Sequence, residues 1–328
     1  MSAKEIVLHL GLDDTDSPDG GCTTYLANLL CQNVSDDLTF IDYPNLVRLN
    51  PNVPFKTRGN GAIAIRVKGA LKSIKMFEKD VKDFLQIYLS SDSHAQPCLA
   101  FVEGSINPRL HELYKNALNT IIDPNEAIQI AQESNAKLES FPGFSGARGV
   151  VGALAAIGWG LSVNDYTFEL IAYRTPENWK AGPRLINPES VFEMNKCFPK
   201  TFGNIDPLNN VIKIAPHGPD PVLCGIRGDT PDELLDAWQR LLVLEPVSGI
   251  MLFRSNQGTG AHFQKESEAV DLNPYNSVQL SGTVVNVPKR EIGGHLFFNL
   301  KNDNPKRVKS EYISSLFLTN LGDADLIT

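Results

Sequence analysis

The chain has 328 residues, which is enough for two or three domains. With 42% hydrophobic and 21% charged residues, its composition is that of a folded globular protein and excludes global disorder, collagen-like repeats and coiled coil. The 30 basic and 38 acidic residues give a net charge of −8, which argues against a generic nucleic-acid-binding protein, since such domains are usually basic. A local basic surface, or a cationic small substrate, is compatible with this charge.

The cysteines and the apolar segments indicate the cellular compartment of the protein. Cysteine occupies positions 22, 31, 98, 197 and 224 without any C-x-x-C pair, so we predict neither a disulfide framework nor a bound zinc ion. No apolar run reaches the roughly 18 residues of a membrane span, so no membrane partner is expected. These features predict a reduced, cytoplasmic protein.

The amino-terminal part alternates strands and helices. Residues 6–12 are typical of a strand buried on both faces, and a helix is predicted to begin near residues 22–23. A strand at 62–67 precedes an amphipathic helix at 71–88, and another amphipathic stretch lies within 123–141. This pattern predicts an α/β domain.

The middle of the chain predicts a strand–helix–strand unit. A strand at 221–227 is followed by Thr230, Pro231 and Glu233, which are typical of a capped helix start, and a strand returns at 249–254. Further strands are predicted near 166–174 and 211–215, with a helix near 148–158. Together these elements favour a ferredoxin-like α+β layer.

From residue 277 the pattern becomes purely β. Alternating residues 278–288 turn through 289–294 and return at 295–300, as in the first hairpin of an OB-type barrel.

The first candidate site is an acidic strand end followed by a helix start rich in glycine and threonine. Its residues are Asp13, Asp14, Asp16, Gly20, Gly21, Thr23 and Thr24. If the strand continues, its period of two places Asp14 and Asp16 on one side, where two carboxylates suit Mg²⁺ bound to phosphates. Free amides at the helix start suit the phosphates themselves. We therefore predict a nucleoside triphosphate site here, the alternative being that the aspartates are turn and N-cap residues.

Two loops add further candidates. Lys56, Arg58, Gly59, Asn60 and Gly61 precede a strand and could offset phosphate charge, although an ordinary hairpin turn explains them as well. Asn256, Gln257, Thr259 and His262 follow another strand and could bind a polar ligand, the alternative being a solvated loop.

A third glycine-rich segment, FSGARGVVGA at 144–153, has the wrong spacing and no preceding strand for a dinucleotide-binding motif. Gly149 and Gly152 are predicted to allow close helix packing, with Arg148 placed to meet an anion at the helix start. His9, inside a strand, is predicted to be a core residue with satisfied hydrogen bonds.

Four segments together resemble the archaeal tRNA-isoleucine 2-agmatinylcytidine synthetase (TiaS) family. They are GLDDTDSPDGGCTTYLA, YPNLVRLNPNVPFKTRGNGA, FSGARGVVGALAAIGW and RSNQGTGAH, in family order over about residues 5–300. The resemblance implies a kinase-like ATP-binding domain at 1–135, a ferredoxin-like domain at 136–270 and a short or incomplete OB-fold domain at 275–328. It also implies a ligase that uses ATP to phosphorylate C2 of the wobble cytidine of an isoleucine tRNA and then joins agmatine to it, with ATP, tRNA and agmatine as partners and Mg²⁺ as cofactor.

Carried over to this chain, the resemblance implies roles for the candidate residues. Those it makes catalytic are Asp13, Asp14, Asp16 and Thr23, with Thr23 matching an autophosphorylated threonine and Asp14 and Asp16 holding the metal. Those it places near the nucleotide are Arg58, Gly59, Asn60 and Gly61, to which the residue pattern itself adds Gly20, Gly21, Thr24 and Lys56. Those it places near the substrates are Asn256, Gln257, Thr259 and His262, and Arg148, placed to meet an anion, is added to them from the residue pattern.

The sequence departs from the family in two respects. It lacks the cysteines of the family's zinc ribbon, and beyond residue 302 it no longer follows the family pattern. Two alternatives therefore remain, a non-catalytic RNA-binding homologue and a small-molecule amine kinase.

Overall fold

The computed structural model describes residues 4–16, 21–56, 59–89, 95–141, 147–161, 163–180, 182–207, 209–218, 220–262, 264–265, 278–279, 282–290, 296–302 and 312–314. The described helices are α1 (Thr23–Gln32), α2 (Leu71–Tyr88), α3 (Pro108–Ala117), α4 (Pro124–Glu133), α5 (Gly149–Gly158), α6 (Pro188–Cys197) and α7 (Pro231–Arg240). None of these helices combines the length and the apolarity that crossing a membrane requires.

The longer described strands all lie in the first part of the chain, together with several strands of two or three residues. Those of the first part are β1 (Glu5–Asp13), β2 (Thr39–Phe40), β3 (Asn45–Arg48), β4 (Gly61–Ala70), β5 (Cys98–Glu103), β6 (Lys137–Glu139), β7 (Thr167–Arg174), β8 (Thr201–Phe202), β9 (Ile205–Asp206), β10 (Val211–Ile212), β11 (Val222–Gly228) and β12 (Val247–Ser255). The remainder are β13 (Gln264–Lys265), β14 (Val278–Gln279), β15 (Gly282–Val284), β16 (Lys289–Arg290), β17 (Leu296–Phe297), β18 (Asn299–Asn302) and β19 (Tyr312–Ser314).

One mixed sheet of ten strands runs through residues 1–260, which form the first of two compact units. Its order is β6-β5-β1-β4-β3-β12-β7-β11-β8, with β2 paired to β4. Two antiparallel blocks meet where β3 and β12 pair in parallel, with Arg254 opposite Asn45 and Ser255 opposite Leu46. The mixed α/β class expected from the sequence is therefore confirmed.

Alternation along β1 assigns its two faces to different helices. Leu8, Leu10 and Leu12 belong to the apolar core that α1 and α2 cover. The opposite face lies against α5, and Gly11 is needed there, since a Cβ at residue 11 would lie 2.1 Å from the carbonyl oxygen of Ala153. Helices thus cover both faces of this block, as its continuous apolar strands predicted.

A buried polar pair lies beneath α5. Arg66 donates to the carbonyl oxygen of Trp159 at 2.7 Å and lies 2.8 Å from Nδ1 of His9. Burial and the charge of Arg66 lower the pKa of His9 to about 4, so its neutral ring can donate from Nε2 to the carbonyl of Gly104 at 2.8 Å. His9 is therefore the satisfied core histidine that the sequence predicted.

The second block, β12-β7-β11-β8, carries α6 and α7 on one face only. Leu170 and Ala172 point toward these helices, whereas Glu169 and Ile171 lie on the other face. At α7 the hydroxyl of Thr230 accepts from the amide of Glu233, so the predicted cap is confirmed.

Some elements differ from the sequence expectation. Helix α2 has the predicted bounds, but α3 and α6 were not predicted. The prediction that a strand near 211–215 belongs to the main sheet is wrong. Only Val211–Ile212 is a strand, and it pairs with β9 in a separate two-stranded sheet.

Residues 261–328 form the second unit. Strand β18 pairs antiparallel with both β15 and β19, and β16 pairs antiparallel with β17. The antiparallel return predicted between 278–288 and 295–300 is therefore present in its described part, while residues 291–295 of the turn lie outside the described residues.

Candidate functional site

A cavity of about 670 Å³ lies inside the first unit. Its walls are the carboxyl end of β1, the start of α1, the loop between β3 and β4, the start of α5, and the face of β7 and β11 that α6 and α7 leave open. The lining includes these predicted residues: Asp13, Asp14, Asp16, Thr23, Thr24, Lys56, Gly59, Asn60, Gly61 and Arg148. Segments far apart in sequence are thus brought to one cavity.

Other predicted residues lie elsewhere. Gly21 has a φ of +109° and does not line the cavity. Gly20, Arg58 and residues 144–146 lie outside the described residues.

The chain turns sharply where β1 ends. Asp14 has a φ of +55°, in the left-handed region, which Asp and Asn tolerate better than most other residues. Strand β1 therefore stops at Asp13, and the condition under which Asp14 and Asp16 would share a strand face is not met. The turn instead directs the carboxylate of Asp14 toward the start of α5.

Asp14 is held by groups from two other segments. Its Oδ2 accepts from Nε of Arg148 at 2.9 Å and from the backbone amide of Gln96 at 3.0 Å. Nη2 of Arg148 lies 2.8 Å from the same oxygen. Arg148, expected to meet a ligand anion, thus pairs with a protein carboxylate.

Asp16 closes the start of α1. Its Oδ1 accepts from the backbone amide of Thr23 at 3.0 Å and from the Thr23 hydroxyl at 3.3 Å. The hydroxyl of Thr15 donates to that of Thr23 at 3.0 Å. The N-cap residue of α1 is Cys22 rather than Asp16, but the Asp16 carboxylate accepts from the first amide of the helix and faces the cavity with Thr23.

Asp13 is the aspartate of the cavity whose ionisation is most strongly opposed. Burial and the neighbouring charge of Asp14 raise its pKa well above the usual value. Burial also raises the pKa of Asp14, although the charge of Arg148 opposes that rise. In this acidic wall, formed by Asp13, Asp14 and Asp16, burial therefore opposes ionisation of Asp13 and Asp14, and a proton or a bound cation would offset that cost.

Gly152 leaves room for Asp13. A Cβ at residue 152 would lie 1.9 Å from Oδ2 of Asp13, and one at residue 149 would lie 2.5 Å from the carbonyl oxygen of Gln96. The prediction that Gly149 and Gly152 allow close helix packing is confirmed.

A basic wall contains residues that the sequence interpretation missed. Glu169 lies on β7, with Arg48 from β3 and Arg227 from β11 beside it. Burial would raise the pKa of Glu169, but the charges of Arg48 and Arg227 and the hydrogen bonds from Arg48 and Ser255 lower it to about 2. The available signal was a carboxylate within the otherwise apolar run TFELIAY.

The loop before β4 supports this basic wall. Asn60 has a φ of +47°, and its side chain donates to the carbonyl of Asn50 at 2.8 Å. A Cβ at residue 59 would lie 2.6 Å from Nη1 of Arg48, so glycine leaves space for the guanidinium. The loop joins antiparallel strands β3 and β4, which agrees with a hairpin connection, and it lines the cavity as well.

The loop after β12, expected near the substrates, does not line this cavity. Asn256, Gln257, Thr259 and His262 are not among the residues that line the cavity. Asn256 is fully buried, with Oδ1 accepting from the amide of Arg48 at 2.7 Å and Nδ2 donating to the carbonyl of Arg48 at 2.9 Å. Thr259 donates to the carbonyl of Asn256 at 2.7 Å. Asn256 therefore contacts the backbone of Arg48, and it is Arg48 that lines the cavity.

Within the described parts of the chain, no three His, Cys, Asp or Glu side chains are arranged to hold a metal ion by themselves. All five cysteines are free thiols.

The sequence matches two family models. Residues 9–141 match the TiaS TCKD domain and residues 147–262 match the TiaS FLD domain. The isoleucine-tRNA 2-agmatinylcytidine synthetase TiaS of Thermococcus sibiricus is 39% identical over 304 residues, covering 92% of this chain and 69% of the relative. The protein of the same name from Pyrococcus horikoshii is also 39% identical, covering 92% and 70%.

Solved structures agree with the sequence matches. A crystal structure of TiaS in complex with an isoleucine tRNA and ATP superposes with a TM-score of 0.80 at 35% identity, covering 91% of this chain and 70% of that chain. A complex of TiaS with an isoleucine tRNA, AMPCPP and agmatine gives a TM-score of 0.80 at 33% identity, covering 91% and 71%. Sequence, fold and cavity lead to the same assignment: the chain belongs to the TiaS family.

Proposed function

We propose that this chain is an ATP-dependent ligase that joins agmatine to C2 of the wobble cytidine of an isoleucine tRNA. ATP first phosphorylates C2 through its oxygen, and the primary amine of agmatine then displaces phosphate. The observation that carries the proposal is that residues of three family segments, between Asp13 and Arg148, line one cavity. Relatives 39% identical carry the name of this activity, and a related structure holds tRNA, an ATP analogue and agmatine together.

The cavity suits phosphoryl transfer because such catalysis depends mainly on positioning and on neutralising charge. We assign Asp13, Asp14, Asp16 and Thr23 to the reacting region, where the aspartates can position cationic groups and the hydroxyl of Thr23 can meet phosphate. Thr24, Lys56 and the loop at 59–61 form the nucleotide side, and Gly20, Gly21 and Arg58 belong to the same assignment from the sequence.

The tRNA and agmatine assignments rest on fewer contacts. Arg148 lines the cavity and is assigned to the substrates through its effect on Asp14. Asn256, Gln257, Thr259 and His262 are assigned to the substrate side from the sequence. Agmatine is a dication, so the net charge of −8 and the acidic wall favour its approach.

Mg²⁺ is part of this proposal. The ion usually takes one or two carboxylates and completes its coordination with phosphate oxygens and water, so it needs no cluster of three protein ligands. The carboxylates that line the acidic wall fit such an ion, with Asp14 and Asp16 as the residues that would hold it. When bound, it would neutralise charge on the triphosphate.

We also propose the domain arrangement implied by the sequence, with kinase-like 1–135, ferredoxin-like 136–270 and OB-type 275–328. Antiparallel order β12-β7-β11-β8, with α6 between β7 and β8 and α7 between β11 and β12, supports the second assignment. The free thiols are compatible with a cytoplasmic location.

The test is mass analysis of isoleucine tRNA incubated with the protein, ATP and agmatine. We expect a wobble nucleoside heavier by agmatine minus water, formed only when ATP is present. Asp14→Ala is expected to abolish both this product and tRNA-dependent ATP consumption, while Asp80→Ala, at an exposed position on α2, retains them.

Measurements of ATP binding and ATP consumption separate the alternatives. An RNA-binding homologue would bind tRNA without magnesium-dependent affinity for ATP, and an amine kinase would consume ATP with agmatine alone. Either result, or an active Asp14→Ala protein, would overturn the proposal.

A further inference from the structure

The basic wall of the cavity is organised around one buried carboxylate. Glu169 is only 2% exposed, and its Oε2 lies 2.7 Å from Nη2 of Arg48 and 3.5 Å from Nε of Arg227. Its Oε1 accepts from Nε of Arg48 at 3.3 Å and from the hydroxyl of Ser255 at 2.6 Å. One carboxylate thus joins two guanidinium groups from different strands.

We infer that Glu169 is a positioning residue, which holds Arg48 and Arg227 together as the wall that binds the phosphates of ATP. This inference rests on the proposed use of ATP and adds the group that would receive its negative charge. Arg48 and Arg227 are the contacts of the β- and γ-phosphates, and Glu169 acts through them.

Charge supports this division of the cavity. Two guanidinium groups and the carboxylate of Glu169 leave one net positive charge, and two lysines, Lys56 and Lys213, line the cavity along with one further carboxylate, Asp220. The acidic wall carries three aspartates and would repel a triphosphate unless a cation such as Mg²⁺ lay between them. Guanidinium groups match phosphate oxygens in charge and in hydrogen-bond geometry.

Exposure supports the assignment of separate roles. All three residues line the cavity, but Arg48 is 18% exposed and Arg227 is 34% exposed, whereas Glu169 is only 2% exposed. Two guanidinium groups repel each other when brought together, and the carboxylate between them offsets that repulsion. Glu169 therefore allows both cations to remain at the cavity surface.

The loop after β12 fixes this arrangement. Ser255 donates to Glu169, while Asn256 binds both the amide and the carbonyl of Arg48. The segment after β12, which the sequence analysis placed near the substrates, thus fixes the positions of Arg48 and Glu169.

The experiment is calorimetric titration of the full chain with ATP, ADP and AMP, each with Mg²⁺. Replacing Arg227 with Met removes one phosphate contact, and we expect roughly tenfold to hundredfold weaker ATP binding, a smaller loss for ADP and little change for AMP. Glu169→Gln should show the same order of losses, and Arg227→Lys should recover part of the ATP affinity.

Arg240→Met is the control, because Arg240 is 56% exposed on α7 and its nearest ionic contact is Glu193 at 3.9 Å. The inference is overturned if Arg227→Met binds ATP as the unmodified chain does, or if its affinity for AMP falls as much as that for ATP. Arg227→Met keeps the test valid if Glu169→Gln fails to fold. Failure of the unmodified chain to bind ATP would instead contradict the proposed function.

Kinetics supply a second readout. In the tRNA reaction, Arg227→Met should raise KM for ATP by at least tenfold while kcat at saturating ATP falls less. An unchanged KM with a lower kcat would assign Arg227 to the chemical step and overturn the inference.

Discussion

At the scale of single residues, the contact between Arg148 and Asp14 sets the charge of the acidic wall. Asp14 is 8% exposed, and a buried carboxylate resists ionisation unless a positive charge lies close to it. Arg148 supplies that charge from the residue preceding α5. The position of α5 therefore influences the protonation of Asp14, which follows β1.

Replacing Arg148 with Met should shift the acidic limb of the pH–rate profile to higher pH. Burial already raises the pKa of Asp14, and removal of the opposing guanidinium raises it further, so activity that needs the ionised carboxylate is lost at a higher pH as the solution is acidified. The measurement is kcat/KM for the tRNA reaction between pH 5 and 9. Arg148→Lys should keep most of the original limb, and an unmoved limb in Arg148→Met would contradict this account.

The ionised carboxylate of Asp13 should destabilise the fold at neutral pH although activity requires this residue. Because its folded pKa lies above the ordinary value of 3.8, its effect on stability is most favourable below that value and is lost as pH rises through the folded pKa. Asp13→Asn should therefore be more stable than the unmodified chain at pH 7, by about 1 kcal/mol, and inactive. Urea denaturation at pH 4 and pH 7 is the check, and a destabilised Asp13→Asn protein at pH 7 would refute it.

The sequence predicted much of one wall of the site and little of the other. Asp13, Asp14 and Thr23 lie within twelve residues, so a local motif displays them together. Arg48 and Glu169 are 121 positions apart, and only pairing between distant strands brings them into contact. A single sequence shows no local pattern for such a pair.

At the scale of secondary structure, α5 is the element on which the acidic wall depends. Its glycines let it approach β1 and the segment before β5 closely enough for Arg148 to reach Asp14. A helix with larger residues at these positions would lie farther from the sheet.

Gly152→Ala should therefore impair the site more than the fold. The added methyl group would overlap Oδ2 of Asp13, so we expect destabilisation of about 1–3 kcal/mol and roughly a hundredfold loss of activity. Gly160→Ala is the matched control, because a Cβ there would only contact the side chain of Ile106 at 3.8 Å. Equal activity of the two variants would show that α5 tolerates displacement.

The sequence predicted helices best where the spacing of apolar residues was regular, and in α7 a capping residue supported that spacing. Helix α7 has Thr230 as N-cap and a buried stripe, and α2 has a continuous apolar face. Helices α3 and α6 were missed although each begins with Asn followed by Pro, and in each the Asn side chain caps the helix. Their local signal was present but was not combined with the apolar spacing.

At the scale of the whole molecule, the sheet does not stop at the boundary between the two matched segments. Residues 9–141 and 147–262 match separate family models, yet β3 from the first pairs with β12 from the second. Helix α5, from the second segment, covers the sheet of the first, as the close approach of Gly11 to Ala153 shows. No sequence pattern within either segment could predict this shared sheet.

A fragment ending at residue 141 should therefore fail to fold, whereas one ending at Gly260 should fold and bind ATP. The shorter fragment exposes the face that α5 covers and leaves β3 without its parallel partner, while the longer one contains the complete first unit. Circular dichroism during urea titration distinguishes them by a cooperative transition. A cooperative, soluble fragment 1–141 would be inconsistent with this view.

The parallel seam between β3 and β12 also constrains how such proteins can diversify. Hybrids that combine residues 9–141 of one family member with residues 147–262 of another would bring together two edges with independent histories. Arg48, Glu169 and Asn256 meet across that seam, so a mismatch would disturb ligand chemistry and assembly at once. Evolution and protein engineers alike would therefore have to exchange the two segments together.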